Sequence, residues 1–359
     1  MGNLAEIERF VSICLMKQDC DTIFSLLQTE HDPIFAMEVV PYYALFIQSC
    51  QEFIGQNLLI DTLTNELKDI RNHIKSYSDG FGRSKKKVLK IDNGQNSDYK
   101  EKLCFDFLKN YDIHYNFGSY WTEDKHIIGN TYQLAEFLSV KSMFDPNLND
   151  RFYQVGYQIG SFVSSFREGL SENIKENEIE RNKTSISIKY YYDINTNKQN
   201  CIFNRGLSKE LNLFFINLLC NMNFVKHILN KLFVDGNTWL FRVEYIVTYY
   251  TFRSLERLKN YSDNNKDISI EMNEISTIII QGKSMFNSKM RNCMMHYNLE
   301  GANVISLENI DNELHGIVES CFDGINYKEY LKKLHQYSDT VINYLENQFD
   351  FSEVRMEEL

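Results

Sequence analysis

Prolines are the feature that most constrains this fold, because only 3 occur among 359 residues. Proline removes a backbone donor and breaks helix interiors, so a chain with so few of them favours long uninterrupted helices. The 16 glycines are also few. Along much of the chain, apolar residues recur at spacings of three and four, which is the pattern of an amphipathic helix. The sequence therefore predicts a mainly α fold made of helical bundles.

Changes in composition divide the chain into four regions. Residues 1–80 predict helices, and residues 81–99, rich in Gly, Asn and Ser, predict a linker or exposed loop. Residues 100–205 predict a middle helical region, in which a β-forming run near 184–204 indicates one small β-hairpin. Residues 206–359 predict a helical bundle. Its helices are expected near 207–233, 238–261, 267–297, 307–321 and 325–348.

Charge, cysteine usage and hydropathy limit the functions to consider. The net charge is -11, so any contact with RNA must use a local positive patch against an unfavourable global field. The 8 cysteines form no C-x-x-C pair, which favours free thiols in a reducing, cytoplasmic compartment over a zinc site. No apolar run approaches the length of a membrane span. Nucleotide-binding and zinc-protease motifs are absent from the sequence, so we expect no cofactor and no metal.

The helix predicted over 267–297 carries the most information. Its apolar residues fall on one stripe, which we expect to face the bundle core. The stripe consists of Ile268, Met272, Ile275, Ile279, Gly282, Phe286, Met290 and Cys293. Three polar residues near the end of the helix, Arg291, Asn292 and His296, lie outside this stripe. Asn292 and His296 are four apart and are therefore neighbours on the helix surface.

A second row on the same helix contains Ile278, Met285 and Asn292, spaced by seven. Apolar residues in such a row, outside the core stripe, predict that another helix packs there. That helix belongs either to a second copy of the chain, giving a homodimer through 267–297, or to the protein's own N-terminal part. The sequence leaves both alternatives open.

The motif around Arg291 resembles the signature of a known family. Residues 290–297 read Met-Arg-Asn-Cys-Met-Met-His-Tyr. They resemble the HEPN superfamily, in which an Arg, often followed by Asn, is separated from a His by four to six residues near the end of a bundle helix. The resemblance covers roughly residues 206–350 and leaves the N-terminal 200 or so unexplained.

The resemblance implies a metal-independent endoribonuclease that acts as a dimer. His296 would exchange a proton with the ribose 2′-hydroxyl or the leaving oxygen, which suits the proton chemistry of histidine. Arg291 would stabilise the phosphate and Asn292 would orient the reacting groups. Lys283 and Lys289 would add positive charge for RNA. The family's frequent roles suggest a toxin or an antiviral defence effector.

Two other readings of the motif stand beside this one. The chain is also compatible with a noncatalytic HEPN-like binding or dimerisation module, which the charge of -11 favours. Arg, Asn and His are moreover common on the polar face of a helix end, where cations complement the helix dipole. The intact set of Arg291, Asn292 and His296 favours the ribonuclease.

Overall fold

The computed structural model describes residues 2–55, 61–103, 114–171, 186–198, 202–234, 236–265, 272–299, 302–306 and 308–358. Helices dominate these residues, so the predicted mainly α class is confirmed. The helices are α1 Gly2–Leu27, α2 Pro33–Ile54, α3 Asp61–His73, α4 Phe81–Leu103, α5 Thr131–Phe137, α6 Leu148–Ser171, α7 Lys209–Asn223, α8 Asn230–Leu232, α9 Thr238–Asn264, α10 Met272–Met285, α11 Ser288–Met295, α12 Ile317–Cys321 and α13 Tyr327–Glu346. A π-helical turn, Phe224–Leu229, joins α7 to α8.

The prediction of a linker or exposed loop over 81–99 is wrong, because this segment forms most of α4. Its buried positions follow a helical spacing but are largely polar, so the apolar period is weak. They are Phe81, Ser84, Val88, Asp92 and Gln95. Long-range hydrogen bonds satisfy these polar groups: the Gln95 side chain donates to the Thr131 carbonyl, and the Asp92 carboxylate accepts from the Tyr132 hydroxyl. Tertiary bonding therefore replaces the missing apolar face.

The β-hairpin predicted near 184–204 is also wrong in its pairing. Four antiparallel strands form one sheet in the order β2-β1-β3-β4. They are β1 Phe117–Trp121, β2 Ile127–Asn130, β3 Tyr190–Ile194 and β4 Glu357–Glu358. The backbone of β3 pairs with β1 along its whole length and, at Tyr190 and Tyr191, with β4 on the other side, so its partners are not a return strand from 199–204. Phe203, expected in that strand, bridges to Phe349 instead. Residues 184, 185 and 199–201 lie outside the described residues.

The single helix predicted over 267–297 is instead two helices, α10 and α11, separated at Phe286 and Asn287. The break has a local cause. Asn287 has extended backbone angles and its side chain accepts the backbone N–H of Met290, which starts a new helix. The core stripe survives the break, since every position of it from Ile275 onward is buried. Residues 266–271 lie outside the described residues.

Helix α9 connects the two halves of the chain. It packs against α1 and α4 from the N-terminal half and against α7, α10, α11 and α13 from the C-terminal half. Buried apolar residues form one continuous cluster with members on both sides of the predicted boundary at 205/206. The N-terminal helices therefore lie against the bundle that carries the motif. None of the described helices has both the length and the apolar character that crossing a membrane requires.

Candidate active site

Helix α11 is fixed at its start by Asn287 and along one side by buried residues. The Asn287 amide oxygen accepts the Met290 N–H at 2.7 Å, and its amide nitrogen donates to the Cys321 carbonyl at 2.9 Å. Met290 and Cys293 are buried on the core side. Because this side is anchored, the opposite side of the short helix faces outward.

The end of α11 is held by side chains from other helices. Arg242 of α9 donates from Nη1 to the carbonyls of Cys293 and Met294, at 3.0 and 2.8 Å. Ser49 of α2 donates to the Met295 carbonyl at 2.7 Å. The last carbonyls of a helix lack partners within it, so these bonds stabilise the helix end. The N-terminal half of the chain thus directly supports the motif.

Arg242 is itself fixed by a buried charge network. Its Nε donates to Asp19 Oδ2 at 2.7 Å, and its guanidinium lies 4.3 Å from the centre of the Tyr297 ring. The Tyr297 hydroxyl donates to the same Asp19 oxygen at 2.5 Å. Arg242 and Asp19 are both nearly inaccessible to solvent. Removing either partner of such a pair leaves an uncompensated buried charge, so this network is structural.

None of the three motif residues is buried. Arg291 is partly exposed and donates from Nη1 to the Asn292 amide oxygen at 2.7 Å, and Asn292 is exposed. His296 follows the last residue of α11, and its Nδ1 lies 2.7 Å from Glu52 Oε2. The His296 side chain is 35% exposed and that of Glu52 is 47% exposed. The imidazole is therefore accessible, although a carboxylate from α2 already bonds to it.

Sequence reasoning missed two members of this site, Glu52 and Arg71. Arg71 of α3 places Nη1 3.7 Å from Glu52 Oε1. Arg71 and Arg291 also converge on Tyr250: burial raises the pKa of the Tyr250 hydroxyl, and the positive charges of both arginines oppose that rise. Asp79 adds a negative charge near the same hydroxyl. We call Arg71, Arg291 and His296 the basic cluster: Arg71 and His296 flank Glu52, and the charges of Arg71 and Arg291 both act on Tyr250.

The two arginines of the basic cluster have unused hydrogen-bonding capacity. The Nε atoms of Arg71 and Arg291 are both buried, and neither has a hydrogen-bond partner within the described ranges. A buried donor without an acceptor is unfavourable, so neither arginine is fully satisfied by its protein surroundings. Arg is the side chain best suited to bind carboxylate and phosphate oxygens in pairs.

The two lysines predicted to contact RNA have different surroundings. Lys289 donates from Nζ to the Asn303 carbonyl at 2.9 Å and to the Ser320 carbonyl at 3.2 Å, so it ties α11 to neighbouring segments. Lys283 is exposed on α10. Lys283 is therefore better placed than Lys289 to contact a ligand in solution.

The apolar row that suggested a neighbouring helix is not exposed. Ile278 and Met285 are buried, and α13 covers them. Its Tyr337 hydroxyl donates to the Ile278 carbonyl at 3.2 Å, and its Tyr330 hydroxyl donates to the Met285 carbonyl at 2.8 Å. Neither a second copy nor the N-terminal part is needed to bury these residues. The helix that packs against α10 on this side is therefore α13 of the same chain, and the homodimer stays a prediction.

Comparisons with known proteins add no further assignment. No protein-family model matches the chain, and neither the curated proteins nor the solved structures provide a similar one. Within the part of the chain that the structure describes, no group of three or more His, Cys, Asp or Glu side chains is arranged to hold a metal ion. Any function of the basic cluster must therefore be inferred from the positions and contacts of its own residues.

Proposed function

We propose that the protein is a HEPN-type endoribonuclease that uses Arg291, Asn292 and His296. One observation carries this proposal: a partly exposed guanidinium lies on the short helix α11, a partly exposed imidazole follows its last residue, and other residues fix both ends of that helix. A proton-exchanging group and a permanent cation, each held by a fixed helix end, are the side chains that a reaction at a phosphodiester needs. The resemblance of residues 290–297 to the HEPN signature supports the same function.

In the proposed reaction, His296 takes the proton from a ribose 2′-hydroxyl or gives one to the leaving 5′-oxygen. The 2′-oxygen then attacks the adjacent phosphorus, the bond to the 5′-oxygen breaks, and a 2′,3′-cyclic phosphate is left. Arg291 stabilises the charge that develops on the phosphate, and Asn292, bonded to Arg291, orients the guanidinium. DNA lacks the 2′-hydroxyl and is not cleaved.

The proposal extends to a homodimer through α10 and α11. The Arg291 guanidinium and the His296 imidazole each bond to a different neighbour, Asn292 and Glu52. A second copy would bring the Arg291 of one chain beside the His296 of the other. Ile280, which is 70% exposed on α10, is an apolar residue available for that contact. A mass measurement in solution that finds only monomer, at concentrations where RNA is cleaved, would remove this extension.

The resemblance also leads us to propose a cytoplasmic toxin or antiviral defence effector. A noncatalytic HEPN-like binding or dimerisation module is the second candidate. The charge of -11 and the bond between His296 and Glu52 favour it, because both oppose the approach of a polyanion. The two candidates differ in one observable: the second binds without cleaving.

The test is cleavage of RNA in EDTA by the wild type, Arg291→Ala and His296→Ala. We expect each variant to lose at least about 100-fold in rate, the scale of a lost proton-transfer or charge-stabilising group. His335→Ala is the matched control, since His335 is 43% exposed and its Nε2 lies 3.1 Å from Glu244 Oε2. Arg257→Ala, at an exposed position of α9, is the control for Arg291. Equal cleavage by all five proteins would refute the proposal.

A further inference from the structure

The carboxylate of Glu52 lies between two members of the basic cluster. Its Oε2 is 2.7 Å from His296 Nδ1, and its Oε1 is 3.7 Å from Arg71 Nη1. One acidic side chain thus joins the motif helix to α3, although the sequence separates the three residues widely. A carboxylate and a phosphate present similar oxygen acceptors to these donors.

The surroundings of Glu52 differ from those of its partners. Glu52 is 47% exposed and lies near the end of α2, where Gly55 in a left-handed conformation ends the helix. Exposed ion pairs contribute little to stability, so releasing the Glu52 carboxylate into solvent costs little. Arg71, by contrast, is only 12% exposed. Its guanidinium is therefore largely enclosed by the protein.

We propose that Arg71 is a second phosphate-binding residue of the site, and that Glu52 occupies the position of an RNA phosphate until RNA displaces it. This inference rests on the proposed function for its ligand, the phosphodiester backbone of RNA. The incoming phosphate takes the place of the Glu52 carboxylate at Arg71 Nη1, and it releases His296 from Glu52. Glu52 is thus autoinhibitory: a polyanion binds the site only if its phosphate displaces the Glu52 carboxylate.

The first test measures binding of a 2′-O-methyl RNA oligonucleotide, which cannot be cleaved through its 2′-oxygen. Glu52→Gln removes the competing charge, and we expect the affinity to rise about 1.5- to fivefold, the scale of one exposed ion pair. Glu313→Gln is the matched control, because Glu313 is 49% exposed and pairs with exposed Lys328 at 3.6 Å. It removes one negative charge away from the cluster and should leave the affinity unchanged.

The second test uses Arg71→Gln and Arg71→Lys, with Lys328→Gln as the control for loss of a positive charge. We expect Arg71→Gln to weaken binding about tenfold and to reduce the slope of log affinity against log salt by about 0.7, which corresponds to one lost phosphate contact on a single strand. Arg71→Lys should keep the salt slope but lose part of the affinity, since a lysine lacks the paired donors. A purely structural role for Arg71 would not change the slope.

The outcomes separate this inference from the proposed function. Shifts in binding as expected, with no cleavage by any variant, support the inference and end the ribonuclease proposal. Cleavage that needs Arg291 and His296 while Arg71→Gln and Glu52→Gln bind like the wild type overturns the inference alone. Glu52→Gln that binds as before but loses turnover also overturns it, because Glu52 would then orient His296. No binding by any protein refutes both.

Discussion

Two carboxylates of this protein, Glu136 and Glu52, are partnered in the same way but differ in burial. Glu136 Oε1 lies 2.7 Å from His73 Nδ1, and Glu52 Oε2 lies 2.7 Å from His296 Nδ1. Each carboxylate also has a basic neighbour, Lys87 for Glu136 and Arg71 for Glu52. The Glu136 side chain is 4% exposed, whereas that of Glu52 is 47% exposed. Helix α3 supplies a partner to both.

This difference separates a structural group from one that a ligand can displace. Burial by itself would raise the pKa of Glu136, but the bonds and charges of His73 and Lys87 lower it to about 2. The Tyr77 hydroxyl donates to its other oxygen at 3.2 Å. Glu136 cannot leave these partners without exposing buried charges, whereas Glu52 can turn into solvent. The same pairing of a carboxylate with a histidine and a second cation is therefore structural at Glu136, and at Glu52 it is the contact that we propose RNA displaces.

The largest expected difference between the two carboxylates is in how much each one's substitution lowers the free energy of unfolding. We expect Glu136→Gln to lower the free energy of unfolding by about 3–5 kcal/mol, because it leaves His73 and Lys87 without their buried counter-charge. Glu52→Gln should change it by less than about 0.5 kcal/mol, as exposed substitutions usually do. Urea unfolding followed by circular dichroism measures both. Similar losses in the two variants would contradict the comparison.

The pH dependence of the unfolding free energy should also show the effect of burying Glu136. The folded-state pKa of Glu136, about 2, lies below its ordinary value of 4.5, so the folded protein binds fewer protons there than the unfolded chain. The stabilisation that ionised Glu136 gives the folded state is fully present above pH 4.5 and is lost as the pH falls towards 2. At 1.36 kcal/mol per pKa unit, it amounts to at most about 3 kcal/mol of unfolding free energy. We expect unfolding free energies of Glu136→Gln to depend less on pH in this window. A wild-type slope in that variant would refute the assignment.

Glu52, unlike Glu136, has a partner that is positioned by α11, since His296 directly follows that helix. Asn287→Ala removes the cap of that helix and should cost about 1 kcal/mol of stability. We also expect it to weaken RNA binding, because His296 and Arg291 lose their fixed positions. Asn326→Ala is the matched control, since the Asn326 side chain caps α13 by accepting the Glu329 N–H at 3.0 Å. Equal RNA affinity in the two variants would show that the cluster does not need a fixed helix.

The smallest expected effect is the coupling within the exposed pair. A double-mutant cycle with Glu52→Gln and His296→Ala should give a coupling free energy of about 0.2–1 kcal/mol, the range of exposed ion pairs. The corresponding cycle for Glu136 and His73 should give a clearly larger value. The measurement is urea unfolding at low salt. A stronger coupling in the exposed pair would mean that RNA cannot easily displace Glu52.

Much of the helical architecture could be predicted from the sequence, because the apolar period is a local property. The core stripe through Ile275 and Cys293 shows this, since it remains buried across the break at Asn287. Segment 81–99 shows the limit: its buried side is polar, and the bonds that stabilise it come from distant residues. The β3 strand was visible as a β-forming run, but its partners lie far away in the chain.

For the site, sequence reasoning found Arg291, Asn292 and His296 but neither Glu52 nor Arg71. The motif is local, whereas the contact between Glu52 and His296 spans 244 residues. Arg71 begins an Arg-Asn pair, as Arg291 does, but no spacing in the sequence connects them. Only the packing of α2 and α3 against the bundle brings these residues together. The contribution of the N-terminal half to the site is therefore a property of the tertiary fold.

The most direct test of the account is a crystal structure with bound, uncleavable 2′-O-methyl RNA. We predict a phosphate bound between Arg71, Arg291 and His296, with the Glu52 carboxylate turned away from His296, while Glu136 keeps its bond to His73. RNA bound elsewhere on the protein, with the bond between Glu52 and His296 unchanged, would contradict the central claim that Glu52 guards a phosphate site.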